Sequence, residues 1–215
     1  MSGMFYGATS FNGDISGWDV GNVTNMNMMF QNAYCFNSDL TNWDTSKVTQ
    51  MYSIFQSCYS FNGNVSNWNV SNAINMNNVF YYTYSFNQDI TNWQPSSATS
   101  MTNFIMRNYA FNQDLSSWND YIGNVTNFSN FFRETPALVG VINWPNMSST
   151  DTTTTMFNDT GARFPFNGSF QTKSDLQTAI KNYNLTPLVY KSIYGDINNW
   201  DVTAITDMSQ LFSGG

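Results

Sequence analysis

Histidine is absent from the 215-residue chain, so neither a Ser-His-Asp nor a Cys-His arrangement can be built, and imidazole metal ligands are missing. Charge is also scarce. Asp, Glu, Lys and Arg make up only 10% of the residues, against about a quarter in ordinary globular domains. Lys and Arg together number 7, the net charge is −7 and no basic run occurs, which leaves no footprint for a phosphate backbone and argues against nucleic acid as a partner. No phosphate loop or dinucleotide fingerprint appears. There is no run of about 18 apolar residues to cross a membrane and no recognisable signal peptide. Cysteine occurs only at Cys35 and Cys58, on neighbouring repeats but two positions out of register. That offset sets the Cα atoms near or beyond disulfide reach, and two small buried residues are the favoured expectation.

What the chain has in quantity is aromatic side chains, 17% of the total, and a repeat. The phrase FNGDISGWDV at Phe11 returns at Phe36, Phe61, Phe86 and Phe111, each time 25 residues on. Such a period marks an array in which each coil buries its apolar residues against its neighbours. Residues one period apart then form columns. Trp18, Trp43, Trp68, Trp93 and Trp118 form one, Met26, Met51, Met76 and Met101 another, and Phe30, Phe55 and Phe80 run into Ile105. These large apolar groups are expected to be the inner wall, since a coil this short has no other core. Within a coil the pattern predicts a short parallel strand over residues 14–18, a turn over 17–22 and a helical turn over 24–30, with Met26, Met29 and Phe30 on one face.

Residues 11–30, with Phe11, Asn12, Asp14, Ile15, Trp18, Asp19, Val23 to Met26 and Phe30, resemble the FNxDIxxWDxSxVTxMxxMF repeat of the DUF285 family, also described as BspA-like. The resemblance covers residues 1 to about 132 and again 193–212. It implies a right-handed, leucine-rich-repeat-like parallel β-solenoid with short strands and short helical turns, 25 residues per coil, exposed at a cell surface. It carries no catalytic motif.

The array is expected to span residues 1–157, with Tyr121 and Ile122 as a two-residue insertion and Trp144, Val141, Met156 and Phe157 as a degenerate sixth coil. Residues 158–192 read as an insertion with one amphipathic helix, on which Leu176, Ala179, Ile180 and Tyr183 share a face; residues 193–215 resume the repeat. Residues 1–5 occupy the same repeat phase as 208–212, which suggests one super-repeat of a longer array, or a subunit stacking head to tail into a fibre.

Several columns offer chemistry. Asp14, Asp39, Asp89 and Asp114, with Asn64 standing in once, are expected to close local turns; Ca²⁺ held between stacked carboxylates is the alternative. A catalytic carboxylate pair should break the repeat at one place, whereas these recur, so no catalytic residues are assigned. Asn12, Asn37, Asn62, Asn87 and Asn112 suggest an amide ladder. Tyr34, Tyr59, Tyr84 and Tyr109 form a stripe suited either to binding a glycan or protein or to a satellite core. Among the N-x-S/T acceptors, Asn22, Asn124, Asn146, Asn158 and Asn167 fall in loops that a glycosyltransferase of a eukaryotic host could reach. Together these features point to a non-enzymatic extracellular structural or adhesive protein that assembles with itself. The alternative is a module that binds surface glycans or proteins through the Tyr stripe or a concave face.

Overall fold

The computed structural model of the chain describes residues 1–138, 142, 144, 156, 176, 202 and 205–209. The chain divides into two compact units, Met1–Arg163 and Phe164–Gly215. In the first unit the backbone runs in coils stacked one on the next. Residues 26–33 show how the stack is made. The N–H groups of Met26, Met28, Phe30 and Asn32 donate to the carbonyls of Gln50, Tyr52, Ile54 and Gln56 at 2.8–2.9 Å. The intervening N–H groups of Met29, Gln31 and Ala33 turn back to the carbonyls of Met26, Met28 and Phe30. Alternate peptide groups therefore lie along the stack and across it, and nearly every donor in the segment is used, as a buried backbone requires.

This alternation displaces the expected β-solenoid. Among the described residues the parallel pairing is confined to the isolated bridges Asn25↔Gln50, Gln50↔Asn75, Asn75↔Ser100 and Ser100↔Asn127, and the one helical element is the 3₁₀ turn Ser116–Asp120. No strand forms over 14–18, because the donors there are already taken. The Ser16 N–H goes to Asp14 Oδ1 and the Trp18 N–H to the Ile15 carbonyl. The Asn37 N–H goes to Asn12 Oδ1. Nor does a helical turn form over 24–30. Met28 and Asn32 have φ of 56° and 64°, in the left-handed region, and break the helical path every fourth residue. The same two columns are left-handed in every coil, through Ser53 and Ser57, Asn78 and Tyr82, Asn103 and Arg107, then Asn130 and Glu134; in the first coil they are Gly3 and Gly7.

The aromatic columns fill the interior as the repeat predicts. Phe30, Phe55 and Phe80 stack with centroids 5.6–5.7 Å apart, and each ring also lies within 4.0 Å of Phe36, Phe61 or Phe86. The Trp rings follow at 6.2–6.4 Å, out to Trp144 on Trp118. Each indole Nε1–H reaches back to a carbonyl of the preceding coil: Trp43 to Ile15, Trp68 to Leu40, Trp93 to Val65, Trp118 to Ile90 and Trp144 to Leu115. Trp18 differs, being 40% exposed.

The inserted residues stretch one coil without breaking the ladder. The donor-to-acceptor step is 24 residues for Phe80 to Phe104, becomes 26 for Ile105 to Phe131, and returns to 24 for Phe132 to Met156. The Phe column changes partner there. Phe104 meets Phe80 edge-on at 89° and stacks instead on Phe131 at 4.9 Å.

In the second unit Leu176 is buried, and the Ile205 N–H donates to the Val202 carbonyl as the Val23 N–H does to Val20. Val141, Phe157, the rest of the expected 158–192 helix and residues 196–200 and 210–215 lie outside the described residues.

Two substitutions test the backbone. Met28→Gly should leave stability unchanged or raise it by up to about 1 kcal/mol, because glycine relieves the left-handed strain that a side chain carries there. Gly63→Ala should cost about 1–3 kcal/mol, because its Cβ would collide with the Ser38 carbonyl oxygen, whereas nothing lies near Gly17 and Gly17→Ala should be nearly neutral. Denaturant unfolding of the three variants beside the parent checks both expectations.

Candidate functional site

The polar columns sit on the outside of the coils, and each is set by a local turn. Asp14, Asp39, Asp89 and Asp114 each accept the backbone N–H two residues on, and Asn64 does the same for Ser66. A second row, Asp19, Asp44 and Asn69, repeats the device on Gly21, Ser46 and Ser71. That Asn serves interchangeably with Asp shows that the turn needs an acceptor oxygen rather than a charge. Among the described residues no three His, Cys, Asp or Glu side chains come together to hold a metal ion. The amide ladder forms, on the exposed face rather than at a buried corner. Asn12, Asn37, Asn62 and Asn87 each accept, through Oδ1, the backbone N–H of the next Asn up the stack at 2.7–2.9 Å.

Tyr34, Tyr59, Tyr84 and Tyr109 stack face to face, with centroids 4.6, 4.9 and 5.0 Å apart and planes within 13°. A stack this tight covers both faces of the two inner rings. The stripe offers ring edges and hydroxyls to solvent, and open faces only at its two ends. Burial, and then the neighbouring phenols, raise the pKa of Tyr84, so the row stays neutral.

Beside it lies a cluster that the repeat pattern did not reveal. Arg107 donates from Nε to Glu134 Oε2 at 2.6 Å and from Nη2 to Oε1 at 3.1 Å, and from Nη1 to the Tyr82 hydroxyl. Its guanidinium also lies 5.0 Å from the Tyr82 ring centroid. Tyr82 meets Tyr84 edge-on at 6.0 Å, which joins the cluster to the stripe. Tyr82, Arg107 and Glu134 occupy one column and share the left-handed backbone, so the signal in the sequence was the sole charged pair in a column otherwise held by Asn32 and Ser57. Tyr81 alongside is pushed up to about 12, by burial first and then by its bond with Tyr82. None of these groups changes protonation near neutrality. Elsewhere the surface has a shallow polar groove between residues 66–71 and 92–94.

The two cysteines are free, but they are not both buried. Cys35 is exposed; Cys58 is buried and donates from Sγ to the Phe30 carbonyl, as Thr83 Oγ1 does to Phe55 and Thr135 Oγ1 to Ile105. Burial pushes the Cys58 thiol well above its ordinary value. Of the glycan acceptors, Asn22 is exposed and receives a hydrogen bond from Lys47 Nζ on Oδ1, which leaves its amide nitrogen open. The Asn124 amide nitrogen, the atom a glycan would take, donates to the Ser96 carbonyl. Asn146, Asn158 and Asn167 lie outside the described residues.

The turn carboxylates set an acid limit. The Thr hydroxyl and then the N–H lower the pKa of Asp39 and Asp89, the Ser46 hydroxyl and N–H lower that of Asp44, and the Ser16 N–H and hydroxyl that of Asp14. Folded values below unfolded ones give stability that is complete above the unfolded value and lost as pH falls through the folded one. The melting temperature should be level from pH 7 to about 5 and drop below about 3.9. The double variant Asp39→Asn, Asp89→Asn should keep its melting temperature at pH 7 and lose less of it in acid.

No curated protein and no solved structure matches the chain significantly. A family model does, that of "Mycoplasma protein of unknown function, DUF285", over residues 1–82, 63–168 and 175–215. Most of the sequence is covered in the phase of the coils described above, and the chain belongs to the DUF285 family.

Proposed function

We propose that this protein is a non-enzymatic structural element of a cell surface, extracellular fibre or particle surface, built by stacking coils and extended by self-assembly. One observation carries this reading: the hydrogen-bonding and aromatic groups of each coil are spent on the neighbouring coils. The ladder N–H groups, the Trp indoles, the Asn amides and the stacked rings all act along one axis. Chemistry spent on stacking favours a role in which stacking is the activity. Glycosylation at Asn22, in an exposed turn, suits an extracellular surface.

The second reading is a binding module, and the Tyr stripe with Arg107 is what favours it. Because the inner rings cover one another, recognition there would use hydroxyls and ring edges, together with the end faces of Tyr34 and Tyr109, which are 37% and 51% exposed.

Electron microscopy and sedimentation of the full chain distinguish the two. Assembly into filaments or sheets, with Tyr34→Ser, Tyr109→Ser leaving that assembly unchanged, is the expected result. Monodisperse particles at every concentration, with a glycan or protein ligand lost in the same double variant, would establish the binding module instead.

A further inference from the structure

We infer that the face carrying Met4, Tyr6 and Trp18 is the seat for a second copy of this chain, which docks the coil carrying Ile205 and Met208 against it; the inference rests on the self-assembly reading above. Every coil-to-coil contact in the first unit has two halves. One side presents outward carbonyls and an indole N–H, and the other supplies donors and a carbonyl. The carbonyls of Asn27, Met29 and Gln31 accept from Gly3, Phe5 and Gly7, and the indoles of Trp43 and Trp68 donate to Ile15 and Leu40.

On the Trp18 coil only one half is present. The equivalent carbonyls of Ser2, Met4 and Tyr6 accept no hydrogen bond among the described residues, and the Trp18 indole has no acceptor there. Trp18 is 40% exposed, whereas its counterparts Trp43, Trp68, Trp93 and Trp118 are buried, and Met4 and Tyr6 are exposed around it.

The other half is suggested by the second unit. The Ile205 N–H turns to the Val202 carbonyl and the Ser209 N–H to Asp207 Oδ1, reproducing Val23 to Val20 and Asn27 to Asn25. That register puts Met208 in the column of Met26, Met51, Met76 and Met101, all fully covered in their coils, yet Met208 is 46% exposed. A coil in this phase is the occupant that the Trp18 face fits in shape and in hydrogen bonding, because the internal contacts of the stack are made the same way. The ladder segment is directional, with N–H groups donating toward the following coil, so the contact is head to tail and the assembly polar.

Sedimentation velocity and peroxide footprinting of the full chain test this. Met4 and Met208 are exposed thioethers, open to oxidation in dispersed protein. In assembled protein both should oxidise at least several-fold more slowly, and Trp18→Phe and Met4→Glu should each reduce assembly at least tenfold while keeping the parent circular dichroism spectrum. If the parent does not assemble at all, the self-assembly reading falls and this interface with it. If the parent assembles while Met4 and Met208 stay as reactive as in dispersed protein, or both variants assemble like the parent, this interface is overturned and self-assembly through another face stands.

Discussion

The structure depends on one constraint: a peptide group must send its hydrogen bond either along the stack or back into its own turn, and in residues 26–33 the two choices alternate. Phe30 donates to Ile54 in the next coil, while Gln31 beside it donates back to Met28. A strand would send donors to neighbours on both sides, and a helix would keep them all within itself. Alternation does neither, and it requires left-handed residues at a fixed spacing. That requirement explains why Met28, Ser53, Tyr82, Arg107 and Glu134 adopt φ between 55° and 58° despite carrying side chains. Each costs on the order of 1–3 kcal/mol in isolation, which the hydrogen bonds and ring stacking of each added coil offset.

Once the ladder sets the axial spacing, the side chains follow. Rings on successive coils fall into stacking range, so Phe, Trp and Tyr columns form together, two in the core and one outside. The indole N–H groups then reach buried carbonyls that the alternation leaves over, and Cys58, Thr83 and Thr135 do the same at another carbonyl. The two extra residues near Tyr121 are absorbed as a 3₁₀ turn outside the ladder, so the stack keeps its spacing and only the Phe104–Phe131 packing changes.

Side-chain columns were legible in the sequence because they depend only on the period. Trp43 to Trp118, the Asn amides and the Asp turns stand where a repeat of 25 puts them. The backbone between them was not legible. Met26, Met29 and Phe30 have helical spacing, and nothing about Met28 or Ser53 announces a left-handed residue; the clue was in Gly3 and Gly7, which occupy the same columns in the first coil. The strand expected over 14–18 failed because side-chain oxygens of Asn12 and Asp14 took the donors, a competition that hydrophobic patterning does not register. Cys35 was misjudged as buried because its offset from Cys58 was weighed without knowing which way the turn faces. The Arg107–Glu134 pair escaped notice because the insertion puts its members 27 residues apart, out of the common period.

The alternating ladder is the central claim, and through-hydrogen-bond NMR couplings between amide nitrogen and carbonyl carbon test it most directly. Couplings from Phe30 to Ile54, Phe55 to Val79 and Phe80 to Phe104, with Ile105 stepping to Phe131 and the intervening amides coupled within their own turns, are predicted. A continuous ladder joining residues 14–18 of one coil to 39–43 of the next, with consecutive in-coil helical couplings over 26–32, would contradict it.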